Sequence, residues 1–266
     1  MDKCRLCGRE TVLELSHILP KFIFKYAKST SLTGHIRATE NPNRVVQDGK
    51  KIPFLCKECE TLFSGWESYF SQNIFHPYQN DEKDSFDYDY RLSKFLASVS
   101  FRVLLYSFEN DKNGFFDSPI LKYAPIAINN LKDYLLENNP HPKDQRQSLL
   151  LLDKTSDEIN DKNMYLTRAI DFDVMTTDDC SFVYIKYLKF LQLCPIKLKT
   201  NRGWRTARIS NVAGTLCMKD QELPDYVLMK MDQSIKLIKS QRGELSSNQK
   251  DKIEERIIHS VFDQSN

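Results

Sequence analysis

Two short cysteine motifs, Cys4-Arg5-Leu6-Cys7 and Cys56-Lys57-Glu58-Cys59, constrain this chain more than anything else in its 266 residues. A CxxC turn points both thiols at one place, and two such turns supply the four sulfurs of a tetrahedral structural Zn²⁺ site. Closing that site ties residues 4 and 59 to one ion. It also fixes what lies between them, including Leu15-Ser16-His17-Ile18-Leu19-Pro20. The remaining cysteines, Cys180, Cys194 and Cys217, are scattered singly, as buried apolar thiols are, so no disulfide is expected.

A hydrophobic share of 41% and a charged share of 28% are ordinary for a water-soluble globular chain. No apolar run approaches the length of a membrane span, and Met1-Asp2-Lys3-Cys4 does not open a signal peptide. The expectation is a cytoplasmic protein with no membrane partner. A net charge of +2 excludes no partner class, but the charge is segregated along the chain. Between Asp179 and Asp220 there is no carboxylate, whereas the preceding stretch from Asp153 to Asp179 is acidic. A second acidic run, Asp81 to Asp89, follows the cysteine region.

Hydrophobic periodicity predicts an α+β chain. A strand over Thr11–His17 leads to a helix that Pro20 starts, running through Phe22, Ile23, Phe24 and Tyr26 to about Ser29. Asp48-Gly49 has the signature of a two-residue hairpin pairing Arg44–Gln47 with Lys50–Leu55. A helix follows from Glu60 to about Phe75, then helices from Tyr90 and from Pro125 to Leu136. Asn138-Asn139-Pro140-His141-Pro142 marks a linker. Beyond it, strand-forming stretches at 149–152, 169–174, 182–193 and 206–211 predict antiparallel strands, with Val212-Ala213-Gly214 as a turn and two closing helices, 224–239 and 248–261. Three parts are expected: a zinc-binding module over 1–80, a helical segment over 81–146 and a C-terminal α+β domain over 147–266.

A knuckle, a strand, a hairpin running into a second knuckle, and a helix starting there describe a treble-clef arrangement. Together with Ser16-His17-Ile18-Leu19-Pro20 and Leu55-Cys56-Lys57-Glu58-Cys59-Glu60, residues 1 to about 75 resemble the zinc-knuckle subset of HNH endonucleases, the ββα-metal nucleases. That resemblance implies His17 as the general base that takes a proton from the water attacking a phosphodiester. It also implies a second cation, Mg²⁺ or Mn²⁺, held by the residue before the histidine and the residue after the last cysteine. Those positions are Ser16, a weak ligand for a hard cation, and Glu60, a sound one, with Glu67 two turns further along the same helix as a further candidate. The family's middle asparagine has no clear counterpart here. Scaffold roles, a packed histidine for His17 and a helix-start carboxylate for Glu60, stand beside the catalytic ones.

Residues 182–208 interleave cations with aromatics, as surfaces that bind nucleic acid do. Lys186, Lys189, Lys197, Lys199, Arg202, Trp204 and Arg205 are the candidate contacts, and the competing view is a hairpin whose aromatics are core. The functional expectation is a metal-dependent endonuclease acting on DNA, in a family class associated with bacterial defence against phage or mobile DNA. Its C-terminal domain would bind substrate, a protein partner or a second copy. The alternative is a catalytically silent zinc protein that binds nucleic acid or serves as an adaptor.

Overall fold

Asp2–Lys3 (β1) and Glu10–Thr11 (β2) pair antiparallel across the first cysteine turn. That turn needs Gly8, whose φ of +77 brings its N–H back to the Cys4 carbonyl at 2.9 Å, a conformation that a side chain disfavours. The computed structural model describes residues 2–37, 41–46, 48–158, 160–199, 206–219 and 221–263.

The expected strand over 11–17 is divided, and its second part, Glu14–His17 (β3), ends on the histidine. Pro20 precedes Lys21–Ser29 (α1), which buries Ile23, Phe24 and Ala27. Ile36–Arg37 (β4) pairs with Val45–Val46 (β5), which lies in the stretch expected to pair with Lys50–Leu55. Lys51–Leu55 (β6) then pairs with β3, not with the residues before Asp48, so the expected Asp48-Gly49 hairpin is not formed. Two local facts explain the difference. Asp48 turns its carboxylate to Lys51 Nζ at 2.8 Å, and Gly49 lies directly under the Phe24 ring, which a Cβ there would overlap. Pro53 is tolerated because β6 is an edge strand with a register shift opposite Leu15. Gly49→Ala is therefore expected to destabilise the protein by about 1–3 kcal/mol through overpacking, measurable by chemical denaturation.

Lys57–Phe70 (α2) starts on the second cysteine pair and passes through a π turn, Ser71–Phe75, into His76–Gln79 (α3). Ser85–Asp89 (β7), from the acidic run, pairs with Ala213–Cys217 (β12), so residues expected to turn at 212–214 instead begin a strand. Tyr90–Glu109 (α4), capped by Asp89 accepting from the Arg91 N–H at 2.9 Å, is buried almost all round. Ala124–Leu135 (α5) packs on it. Ser148–Leu151 (β8), Ile170–Thr176 (β9), Cys180–Tyr187 (β10) and Phe190–Leu198 (β11) form one antiparallel sheet, ordered β8-β11-β10-β9. The run expected as one strand over 182–193 folds back at Leu188, which adopts a left-handed φ of +55. Asp161–Arg168 (α6), Asp225–Gly243 (α7) and Ser247–Asp263 (α8) complete the chain, which is α+β as expected.

All three stretches contribute side chains to one core cluster, and a second cluster around Tyr165, Phe182 and Tyr184 lies within the C-terminal stretch. Phe70 of α2 stacks on Phe95 of α4 at 4.2 Å and meets Phe190 of β11 at 5.3 Å, so helix α4 joins the cysteine region to the sheet.

Candidate functional site

The four Sγ atoms of Cys4, Cys7, Cys56 and Cys59 lie within 4.8 Å of one another, and the Cys56 N–H points at Cys4 Sγ at 3.3 Å. The cluster can hold a metal ion such as zinc. Its thiols are unequal. Burial alone would raise Cys7, but hydrogen bonds from Arg9 and from neighbouring thiols bring it down to about 6. Burial pushes Cys56 up to about 11 and Cys59 higher still. Without a cation the group cannot hold four thiolates; a divalent ion supplies the charge that ionises the rest.

The β3–β6 pairing places His17 directly opposite Lys51. Asp48 lies between them: its Oδ2 is 3.5 Å from His17 Nε2 and 2.8 Å from Lys51 Nζ. Burial would raise the Asp48 carboxyl, but hydrogen bonds and charge from Lys51 and His17 outweigh it and hold it below the ordinary range. Burial lowers the His17 pKa from its ordinary 6.5, against the pull of Asp48, so the imidazole is neutral near pH 7. The ring is 15% exposed.

Beneath the histidine lies Arg102 of α4, only 2% exposed. Its Nε donates to the Ser98 carbonyl at 3.3 Å and its Nη1 to the His17 carbonyl at 3.0 Å, while Nη2 pairs with Glu67 Oε1 at 2.8 Å. The guanidinium thus ties β3, α2 and α4 together at the residue that carries the imidazole. Asp48 and Arg102 were not foreseen. Asp48 reads as half of a turn signal, and Arg102 is a lone cation inside the apolar run Phe101-Arg102-Val103-Leu104, which is the cue that marks it.

Ser16 is buried, donates weakly to the Glu14 carbonyl at 3.5 Å, and faces away from His17 by strand alternation. Glu60, in the first turn of α2, has a buried Oε1 with no hydrogen-bond partner. Among the described residues the cysteines are the one group of three or more His, Cys, Asp or Glu side chains close enough to share an ion, so His17 and Glu60 do not complete a second such group.

The basic stretch does not form one cationic face. Lys186 is fully buried, donating to the Leu166 carbonyl at 3.1 Å and to the Leu188 carbonyl. Lys189 is 8% exposed and pairs with Asp81 and, at 3.6 Å, with Asp153. Neither is open to nucleic acid as the sequence suggested, because β10 is an interior strand covered on both faces and the turn after it folds against β7's acidic approach. Phe182, Tyr184, Tyr187 and Phe190 are core. Lys197 is half-buried over the Tyr123 ring, and Lys199 is exposed and paired with Asp179 at 3.2 Å. Arg202, Trp204 and Arg205 lie outside the described residues. No helix is long and apolar enough to cross a membrane among those residues. Compared with known proteins, the chain matches no family model, no curated protein and no solved structure.

Proposed function

We propose that this protein is an HNH-like endonuclease that hydrolyses DNA phosphodiester bonds, with His17 as general base on a zinc-held scaffold. The observation that carries the reading is the setting of His17: a neutral imidazole at the end of β3, beside the Asp48 carboxylate at 3.5 Å, in an antiparallel β3–β6 pair followed directly by α2. That pairing and the helix after it support the resemblance to the ββα-metal nucleases, and Asp48 would supply the orienting partner for which the sequence offered no asparagine. A neutral histidine takes the proton of the attacking water, and the ionised Asp48 stabilises the imidazolium that results. Lys51 opposite keeps Asp48 ionised.

The orphaned oxygen of Glu60 suits a hard cation, so Glu60 is the residue that would hold Mg²⁺ or Mn²⁺, leaving the His17 imidazole free for the proton. When bound, such an ion neutralises charge on the phosphate and the leaving oxygen. His17→Ala is expected to abolish Mn²⁺-dependent nicking of plasmid DNA, with the unfolding transition and zinc content unchanged; equal nicking by the variant sinks the reading. The pH profile has a set sign. Since the neutral form is active and its pKa is lowered, the rate holds as pH falls from 8 to about 6.5 and declines only below that. A decline already complete at pH 7 contradicts the assignment.

One observation favours the second reading, a catalytically silent zinc protein acting as an adaptor. Glu67, a further candidate ligand, is engaged by Arg102, and no second group of three ligands forms among the described residues. Metal stoichiometry in Mn²⁺ separates the two: one zinc alone supports the adaptor, and zinc plus manganese lost in Glu60→Ala supports the nuclease.

A further inference from the structure

Away from the histidine, a cleft of about 330 Å³ opens where the linker meets the edge of the large sheet. Lys143, Arg146, Lys197 and Arg208 line it, with Asp144 as the one carboxylate and Pro195 and Leu198 among its walls. These cations come from three separate stretches of chain. A tight turn, closed by the Gln145 N–H to the Pro142 carbonyl at 2.9 Å, puts Lys143 and Asp144 at its centre, with Lys143 in a left-handed φ of +50. Arg208 is placed opposite Ser148 by a short antiparallel bridge, in which the Leu149 N–H meets the Ala207 carbonyl and the Ile209 N–H the Gln147 carbonyl, both at 2.9 Å.

The walls are held rigidly from behind. Gln145, 2% exposed, accepts from Asn130 Nδ2 at 2.8 Å and donates to the Pro195 and Ile196 carbonyls at 3.3 Å each. Gln147, 1% exposed, accepts from Ser100 and donates to the Gln145 carbonyl at 2.8 Å. A satisfied buried amide network of this kind fixes the backbone that carries the cations before any ligand arrives. Lys143 Nζ donates to Asn130 Oδ1 at 3.0 Å, which leaves further N–H groups for a ligand. Among the described residues no carboxylate pairs with Lys143, Arg146 or Lys197, whereas Lys199, two residues on from Lys197, is paired with Asp179.

We propose that this cleft is a binding site for a small oligophosphate anion, the di- or triphosphate of a nucleotide being the ligand class it fits. Converging cations with one carboxylate select a polyanion, and arginine and lysine together are the usual donors to phosphate oxygens. A concave site of this volume encloses a compact ligand, whereas a duplex needs cations spread along a strip, which the burial of Lys186 and Lys189 removes. The site is independent of the nuclease reading, and its failure would leave that reading untouched.

Titration calorimetry of the full metal-loaded chain with inorganic tripolyphosphate, and separately with a nucleoside triphosphate, tests this directly. Arg146 is exposed, so Arg146→Glu keeps the fold; it is expected to weaken both probes by at least about tenfold. The control Lys250→Glu on exposed α8 is expected to change them by less than about twofold. Tighter binding of the nucleoside triphosphate identifies a nucleotide as the source, and equal binding identifies the phosphate chain alone. Absence of saturable binding by both probes, equal affinity in Arg146→Glu, or a duplex oligonucleotide that binds there and is not displaced by triphosphate would overturn the proposal.

Discussion

Stripping the metal from the four-cysteine cluster is expected to unfold more than the N-terminal segment. A four-thiolate zinc site contributes roughly 10 kcal/mol of apparent folding free energy, comparable to the whole stability of an ordinary domain. Here the loss cannot stay local. Cys56 is the residue from which helix α2 springs, and Phe63 and Phe70 of that helix are fully buried in the core that also holds Phe95 of α4 and Phe190 of β11. When the second knuckle loses its ion, the first turn of α2 and the end of β6 lose their anchor, and the aromatic contacts of α4 follow. The thermal midpoint, followed by circular dichroism, should fall by more than about 10 °C on addition of a strong chelator. Cys59→Ser should reproduce the fall without chelator. An unchanged midpoint in both would mean that packing alone holds the segment.

Arg102→Met is the substitution with the largest expected cost outside the cysteines, about 3 kcal/mol. Methionine matches the stem in bulk, so the change is chiefly electrical. It leaves the Glu67 carboxylate beside an apolar wall and the His17 carbonyl without its donor, and Glu67, at 22% side-chain exposure, is only partly able to turn to water. Arg102→Lys should be intermediate in cost, because one ammonium cannot reach Ser98, His17 and Glu67 together as the planar guanidinium does. Adding Glu67→Gln to Arg102→Met should recover a part of the loss, since the unpaired charge is removed. A double-mutant cycle by urea denaturation reads this as a coupling of about 1–3 kcal/mol, and strictly additive effects would contradict the pairing. The two variants also separate roles: Glu67→Gln alone should leave zinc content intact.

How far the sequence foretold this molecule follows from the range of each interaction. The knuckles were legible because a CxxC turn is local chemistry, and α1 was legible because Pro20 and the apolar residues Phe22, Ile23, Phe24 and Tyr26 lie within ten residues. The Asp48-Gly49 signal misled because its ordinary meaning is also local. The structure uses Gly49 for the close approach of Phe24, and β6 for a partner more than thirty positions earlier, in the strand Glu14–His17. Lys186 was misjudged for a related reason. Alternating cations and aromatics describe a half-exposed strand, but β10 has a neighbour on each side and is covered on both faces, which only the order of the sheet reveals. Asp48 and Arg102 gained their places from contacts with His17 that no periodicity encodes. Lys197 and Arg208 are the basic-stretch residues that the fold brings to a cleft, and their companions Lys143 and Arg146 come from a segment far earlier in sequence.

The central claim is that a single zinc on four cysteines builds the scaffold that presents His17, and X-ray absorption at the zinc edge of the purified chain tests it most directly. The account predicts one zinc per chain with four sulfur neighbours at about 2.3 Å, and loss of that signature in Cys4→Ser or Cys59→Ser. Nitrogen or oxygen neighbours in place of sulfur, or a folded chain without stoichiometric metal, would contradict it.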